Sequence, residues 1–257
     1  MTDQYAVIGN PIGHTKSPLI HSMFARATAQ DLAYSAIAGP TDSYDAFADA
    51  VRAFRDQGGR GMNVTLPFKR LACQLADELS ERAQQAGAAN ALKFEAGRIH
   101  ADNFDGIGLV NDIQRNLGMA LAGRRVLVLG AGGATRGALL PLLAQQPAQL
   151  VIANRTAATA QALALRWADD YPVRGGGYAE LGQEPFDLVI NATSASLHGE
   201  LPPLSAACFA PDGLAYELVY GKGLTPFLQL AQSAGVKRLA DGVGMLVEQA
   251  AEAFAWW

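Results

Sequence analysis

The chain has 257 residues, 50% of them hydrophobic and 17% charged, which excludes a disordered or fibrous protein and leaves room for one large domain or two smaller ones. Its 20 Lys and Arg against 24 Asp and Glu give a formal net charge of -4, which argues against a nucleic-acid or anionic-membrane partner. Cys73 and Cys208 form no CxxC and the four histidines form no HExxH pair, so neither a disulfide framework nor a metal site is expected.

The first residues, Met-Thr-Asp-Gln-Tyr, enter an apolar run directly, without the basic start and long apolar stretch of a signal peptide. No apolar stretch approaches the roughly 20 residues of a membrane span. The expectation is a soluble, cytoplasmic protein. Residues 5–9, Tyr-Ala-Val-Ile-Gly, read as a buried strand closed by glycine. Ser17-Pro18 starts a predicted helix to about residue 29, with serine suited to the N-cap and proline to the first turn. Residues 32–38 form a second strand, and Asp42 or Ser43 caps a helix ending near Gly58-Gly59. Residues 62–65 form a third strand, stopped by Pro67, and residues 91–95 and 98–101 flank Ala96-Gly97 as a hairpin. The pattern restarts near residues 118–123. Residues 124–130, Arg-Arg-Val-Leu-Val-Leu-Gly, are a strong buried strand, and Gly132-Gly133 leads into a helix containing residues 139–143. A strand over 150–153, a helix over 156–168, strands over 187–191 and 215–219, and helices over 225–234 and 243–254 complete the chain. The alternation predicts βαβ units with mainly parallel sheets, and the restart predicts two α/β domains divided within about 103–124.

Gly130-Ala131-Gly132-Gly133-Ala134-Thr135 follows the strongest strand and resembles the dinucleotide fingerprint, with Thr135 where its third glycine would stand. The first glycine permits a tight turn, the second lets a pyrophosphate approach the backbone, and the helix N-terminus offers free N–H groups. About 20 residues on, an NAD site carries an acidic residue for the ribose 2′-hydroxyl. This chain has Asn154-Arg155-Thr156. Arginine grips a 2′-phosphate with paired hydrogen bonds, so NADP is favoured over NAD.

Three polar segments lie outside this nucleotide unit. In the first, residues 9–18, Thr15, Ser17 and helix N–H groups could hold a carboxylate at a strand end, or Ser17 could simply cap its helix. His14 reads as a structural or surface residue. In the second, residues 63–69, Lys69 follows Pro67-Phe68, a setting that partly desolvates an ammonium and makes it a usable acid or base. The third comprises residues 87–90 and 102–106, where Asp105 could cap a helix or pair with a lysine.

Together with residues 130–134, 154–156, 190–194, 216–228 and 241–249, these segments run from end to end, and the chain resembles the shikimate dehydrogenase family. The resemblance implies an α/β fold: an N-terminal substrate-binding α/β domain, residues 1–104 with 239–257, plus a Rossmann-type NADP-binding domain, residues 105–238, with the active site in the intervening cleft. It implies NADPH-dependent, reversible reduction of 3-dehydroshikimate to shikimate in aromatic amino-acid biosynthesis, by a monomer or homodimer whose partner is the small-molecule substrate. Lys69 and Asp105 would be the catalytic pair. Thr15 and Ser17 would hold the substrate carboxylate, and Thr65, Asn90, Asp105, Tyr220 and Gln249 the ring hydroxyls and reacting oxygen. NADP would lie on Gly130, Ala131, Gly132, Gly133 and Ala134, on Asn154, Arg155, Thr156, Ala157, Ala158 and Thr159, and against Glu81, Leu218 and Gly242.

The chain departs from the usual family pattern at Thr15 in place of serine, at Ala91 and Phe104 in place of threonine, and at Glu217 in place of aspartate. The family includes quinate-active and divergent members. The contrasting readings are therefore a quinate/shikimate dehydrogenase or a paralogue acting on a related hydroxy acid, and a non-enzymatic NADP-responsive binding protein. Shikimate is expected to be preferred over quinate, because the ring-binding set matches the biosynthetic pattern.

Overall fold

The computed structural model describes residues 2–182 and 184–257. The chain divides into two compact α/β units, residues 1–108 with 247–257 and residues 109–246.

The first unit is built on β1 (Asp3–Gly9), β2 (Leu32–Ala38), β3 (Gly59–Val64), β4 (Glu78–Leu79), β5 (Ala91–Glu95) and β6 (Arg98–Asp102), in the order β2-β1-β3-β5-β6-β4. β1 runs parallel to β2 and β3, whereas β5 runs antiparallel to both β3 and β6. The sheet is therefore mixed rather than purely parallel. Ala96 and Gly97 both take positive φ, 51° and 78°, the requirement of a two-residue hairpin turn whose twist matches its strands. Because β5 runs backward, its first residue, Ala91, pairs with Asn63 near the end of β3 and with Asp102 at the end of β6. The loops that leave β1, β3 and β6 and the loop that enters β5 thus share one sheet edge.

Side chains alternate across this sheet. Ala6, Ile8, Met62, Val64 and Leu92 enter one cluster with Phe47 and Val51 of α2 (Tyr44–Asp56), Ala72 of α3 (Lys69–Leu75) and Ala83 of α4 (Glu81–Ala86). Tyr5 and Tyr34 lie on the other face. There His21 of α1 (Ser17–Thr28) stacks on Tyr34, and Trp257, just beyond α9 (Val243–Trp256), stacks on Tyr5 at 4.8 Å. The Trp257 indole N–H also donates to the Leu92 carbonyl at 2.9 Å. A Cβ at Gly61 would stand 2.4 Å from that indole nitrogen, so only glycine lets the ring lie on the strand.

The second unit holds β7 (Arg125–Leu129), β8 (Gln149–Ala153), β9 (Val173–Gly176), β10 (Phe186–Asn191), β11 (Phe209–Glu217) and β12 (Arg238–Asp241), ordered β12-β11-β10-β7-β8-β9 with every pairing parallel. Apolar clusters cover both faces. One contains residues of α6 (Gly133–Leu143) and α7 (Ala157–Leu165), the other residues of α8 (Pro226–Ser233). Parallel strands buried on both faces read as continuous apolar runs, which is why residues 126–129 and 150–153 are legible in the sequence. β9 and β12 carry no such run: Val173-Arg-Gly-Gly and Arg238-Leu-Ala-Asp take their strand form from their neighbours. Strand order reverses between β7 and β10, the position at which open α/β sheets bind ligands. No helix among the described residues is long and apolar enough to cross a membrane.

Candidate active site

Four sequence-predicted residues meet at the shared edge of the first sheet. Lys69 is the first residue of α3, and Asp105 is the first residue of α5 (Asp105–Asn111). The Lys69 ammonium donates to Asp105 Oδ2 at 2.6 Å, with the two side chains 26% and 15% exposed. Asp105 Oδ1 accepts from Asn90 Nδ2 at 2.8 Å, and the same amide reaches Gln249 Oε1 at 3.1 Å. Asn90 is buried, and its own oxygen accepts the Phe104 N–H at 2.9 Å, which fixes which way the amide points.

The alternative that Asp105 caps a helix is not what the structure shows. Its carboxylate oxygens are engaged by Lys69 and Asn90, and its N–H is taken by Asn103 Oδ1 at 3.1 Å. Asn103 also donates to the Ala88 carbonyl at 2.9 Å. The preceding Asp102, buried, pairs with Arg82 and accepts from Ser80, the N-cap of α4. Sequence reasoning does not single out Asn103, Asp102 or Arg82, yet they hold the loop that aims Asp105. Thr65 directly follows β3 and lies with its methyl against Gly9, where an added Cβ would fall 2.4 Å from Thr65 Cγ2. Glu81 opens α4, exposed and outside this set of hydrogen bonds.

The structure corrects the N-cap expected at Ser17. Lys16 occupies the cap without a side-chain bond, and Ser17 is already the first helical residue, followed by Pro18. The residue before the cap serves the helix start instead: Thr15 Oγ1 accepts the Ser17 N–H at 3.3 Å and donates to Ser17 Oγ at 3.2 Å. The Ser17 hydroxyl is therefore released from capping.

Behind these hydroxyls lies His21, fully buried, with neither ring nitrogen hydrogen-bonded and Asn63 as the polar side chain facing it. Burial pushes its pKa down from 6.5 to about 4. The folded chain refuses a proton that the unfolded chain accepts near pH 6.5, so stability is complete above that value. It is lost as pH falls from 6.5 toward 4, by up to about 3 kcal/mol. His21→Phe keeps an aromatic ring on Tyr34 and is expected to remove this component. Urea unfolding at pH 7.5 and 4.5 checks it: a pH dependence equal to that of the wild type would show that His21 is not its source.

In the second unit the candidate cofactor residues all fall at the carboxyl edge of the sheet. Gly130 follows β7 with φ +98°, a conformation that favours glycine. Gly132 is the N-cap of α6 and offers no side-chain bond, so the first-turn N–H groups keep their donor capacity. A Cβ added at Gly132 or Gly133 would meet nothing within 4 Å, and Gly132, Gly133 and Ala134 are all exposed. This open, N–H-lined turn fits the pyrophosphate of NADP. Ala131 donates its N–H to Asn154 Oδ1 at 3.3 Å, which ties the turn to the end of β8. Thr135, in place of the third fingerprint glycine, is buried and donates its hydroxyl to the Gly130 carbonyl at 2.7 Å. It therefore fastens the helix to the strand end by a hydrogen bond.

Arg155 is exposed and forms no ion pair among the described residues, which leaves its guanidinium available to a 2′-phosphate. Thr156 stands at the N-cap position of α7 without a side-chain bond, and the first turn carries Ala157, Ala158 and Thr159. Leu218 and Tyr220 follow β11, and Gly242 follows β12. Gly242 approaches Leu218 so closely that an added Cβ would stand 2.2 Å from its carbonyl oxygen. Glu217, fully buried, accepts from Asn191, Ser196 and Thr225 and so binds the loops after β10 and β11 to each other.

Residues 7–92 match the family described as Shikimate dehydrogenase substrate binding domain, and residues 112–198 the family described as Shikimate / quinate 5-dehydrogenase. The chain is 57% identical over 257 residues to Shikimate dehydrogenase (NADP(+)) of Nitrosospira multiformis, spanning 100% of this chain and 92% of that one. Among solved structures it is similar to an Ael1 enzyme from Pseudomonas putida, at 62% identity and TM-score 0.96, covering 100% of this chain and 93% of the other. It is also similar to Shikimate 5-Dehydrogenase from Thermus thermophilus in complex with NADP(H) and shikimate, at 31% identity and TM-score 0.86, with coverage of 100% and 93%. Matched over its full length by a relative more than half identical to it, and by both family descriptions in chain order, the chain belongs to the shikimate dehydrogenase family.

Proposed function

We propose that the protein reduces 3-dehydroshikimate to shikimate, reversibly, with NADPH, and that Lys69 and Asp105 carry the proton chemistry. The observation that supports this best is the 2.6 Å contact between them, set beside Asn90 and Gln249 at a strand-end edge. NADPH, when bound, supplies the hydride. The Lys69 ammonium hydrogen-bonds the ketone oxygen and stabilises or protonates the alkoxide as it forms. Asp105 holds Lys69 in place and accepts a hydrogen bond from a substrate hydroxyl. Asn90 and Gln249 orient Asp105 and contribute to the same ring face, while Thr15 and Ser17 receive the carboxylate. Two free cysteines, Cys73 and Cys208, fit a reducing compartment, and we place the enzyme in the cytoplasm as a monomer or homodimer.

The test is turnover of 3-dehydroshikimate followed by loss of NADPH absorbance, with shikimate and quinate compared in reverse with NADP and NAD. The expected order is shikimate above quinate and NADP above NAD. Cofactor binding without turnover of any of these would overturn the proposal in favour of a binding protein. Quinate matching shikimate would shift it to a quinate/shikimate dehydrogenase.

Arg155 provides the cofactor test. A charge-assisted contact to the 2′-phosphate is worth about 1.5–3 kcal/mol. Arg155→Ala is therefore expected to weaken NADP by about 10- to 100-fold while leaving NAD nearly unchanged. Equal losses in titrations with the two cofactors would show that Arg155 does not read the phosphate.

A further inference from the structure

We infer that Trp256 and Phe104 form a positioning pair that sets Gln249 against Asn90 and Asp105; the inference rests on the reading of those three as substrate-binding residues given above. Phe104 stands between Asn103 and Asp105 in the loop that leaves β6, where the usual family pattern has threonine. Its ring is 3% exposed and joins Ala91 and Ala253 in a small apolar cluster, with Trp256 packed against it. Ala91 also stands in place of a threonine, so both departures fall in this one cluster, a small side chain at one position and a large ring at the other. The Phe104 ring meets the Trp256 indole edge to face, with centroids 5.6 Å apart and planes at 67°. The Arg82 guanidinium lies 5.3 Å from the Phe104 ring centroid. Arg82 is itself held by two hydrogen bonds, of 3.2 Å and 2.5 Å, to Asp102, two residues before Phe104. The ring is therefore fixed from its own loop, and Trp256 docks on it.

From Phe104 the contacts run in a closed circuit. Its N–H donates to Asn90 Oδ1 at 2.9 Å. Asn90 Nδ2 donates to Asp105 Oδ1 at 2.8 Å and to Gln249 Oε1 at 3.1 Å. Gln249 leads back to Phe104 through α9, because Gln249, Ala253 and Trp256 stand at i, i+4 and i+7, on one face of that helix. Seven residues of helix rise about 10 Å in nearly two full turns. A helix is stiff over that distance, so its pose at Trp256 dictates where Gln249 stands. Trp257, stacked on Tyr5 and bonded to the Leu92 carbonyl, pins the chain just past the helix. One anchor at the end leaves rotation about the helix axis open, and Trp256 on Phe104 supplies the second point that closes it. A shift of about 1 Å at Gln249 would stretch its 3.1 Å bond beyond hydrogen-bonding range and unsettle the amide that also holds Asp105.

Trp256→Ala removes the docked indole, seven residues from Gln249. The expected result is a rise of about 10-fold in KM for shikimate, the size of one lost hydrogen bond, with kcat within about 3-fold and KM for NADP within about 2-fold. Trp256→Phe keeps an aromatic edge for Phe104 and should stay within about 2-fold of the wild-type KM. Trp256→Leu keeps apolar bulk without that edge; it should show most of the rise and carries the test if the alanine variant does not fold. Because Trp256 acts through Gln249, Trp256→Leu should add less than about 2-fold in a Gln249→Ala background. A role confined to packing would lower the urea midpoint and leave KM for shikimate at the wild-type value. That result, or losses that multiply fully in the double-mutant cycle, would overturn the inference while leaving the proposed activity intact. Absence of shikimate turnover by the wild-type protein would overturn that activity, and the inference with it.

Discussion

Lys69→Met is expected to lower kcat by at least about 100-fold, the span over which a positioned acid contributes to a proton-coupled step. Methionine keeps much of the lysine stem, so the packing of the first turn of α3 survives. What disappears is the ammonium that lies 2.6 Å from Asp105. The KM for shikimate should change far less, because an interaction made mainly in the transition state lowers kcat and kcat/KM together. Steady-state kinetics on a variant with wild-type circular dichroism and an unchanged unfolding transition check this. Near-normal kcat in such a folded variant would remove Lys69 from the chemistry and leave it a surface-edge ion pair.

Asp105→Asn should damage both kinetic parameters, for a reason legible in its contacts. The carboxylate accepts from Lys69 on one oxygen and from Asn90 on the other. An amide has one acceptor oxygen and one donor nitrogen, so whichever way the substituted side chain turned, its NH2 would face either an ammonium or another amide donor. One partner loses its bond, and the charge that holds Lys69 is gone. A fall of about 100-fold in kcat/KM, equivalent to about 3 kcal/mol, is expected, with kcat and KM both affected. Helix α5 should be unaffected, because Asp105 does not serve as its cap. Unchanged kinetics would leave the carboxylate with a structural role alone.

The chemistry-bearing residues of this chain are visible without its fold, but their arrangement is not. Gly130-Ala131-Gly132-Gly133 and Asn154-Arg155-Thr156 carry their meaning in local order: strand, turn, helix, and the end of the following strand. The structure places them where a parallel βαβ unit must place them. Asp42 or Ser43 as a helix cap is also a local question, resolved by the Ser43 side chain accepting the Ala46 N–H at 3.1 Å. Tyr34 leaves no such signal. In sequence it is one aromatic residue in a strand, and nothing in its neighbours indicates that His21 will stack on it or that Asn63 will take its proton.

The sequence by itself determined the alternation of elements, the hairpin at Ala96-Gly97, the glycine-rich turn and the residue types on offer, because apolar periodicity and turn chemistry act over a few residues. Only the tertiary structure decided that β5 runs against β3, that Asp105 binds Lys69 36 residues away instead of capping its own helix, that Asn90 meets Gln249 across 159 residues, and that Ser17 leaves its cap to its neighbours. The physical reason is that each of these depends on how distant segments come together in the folded sheet, through strand direction and register. A hydrogen bond between distant residues is set by which strand edges meet, and the local pattern of either partner does not encode the other.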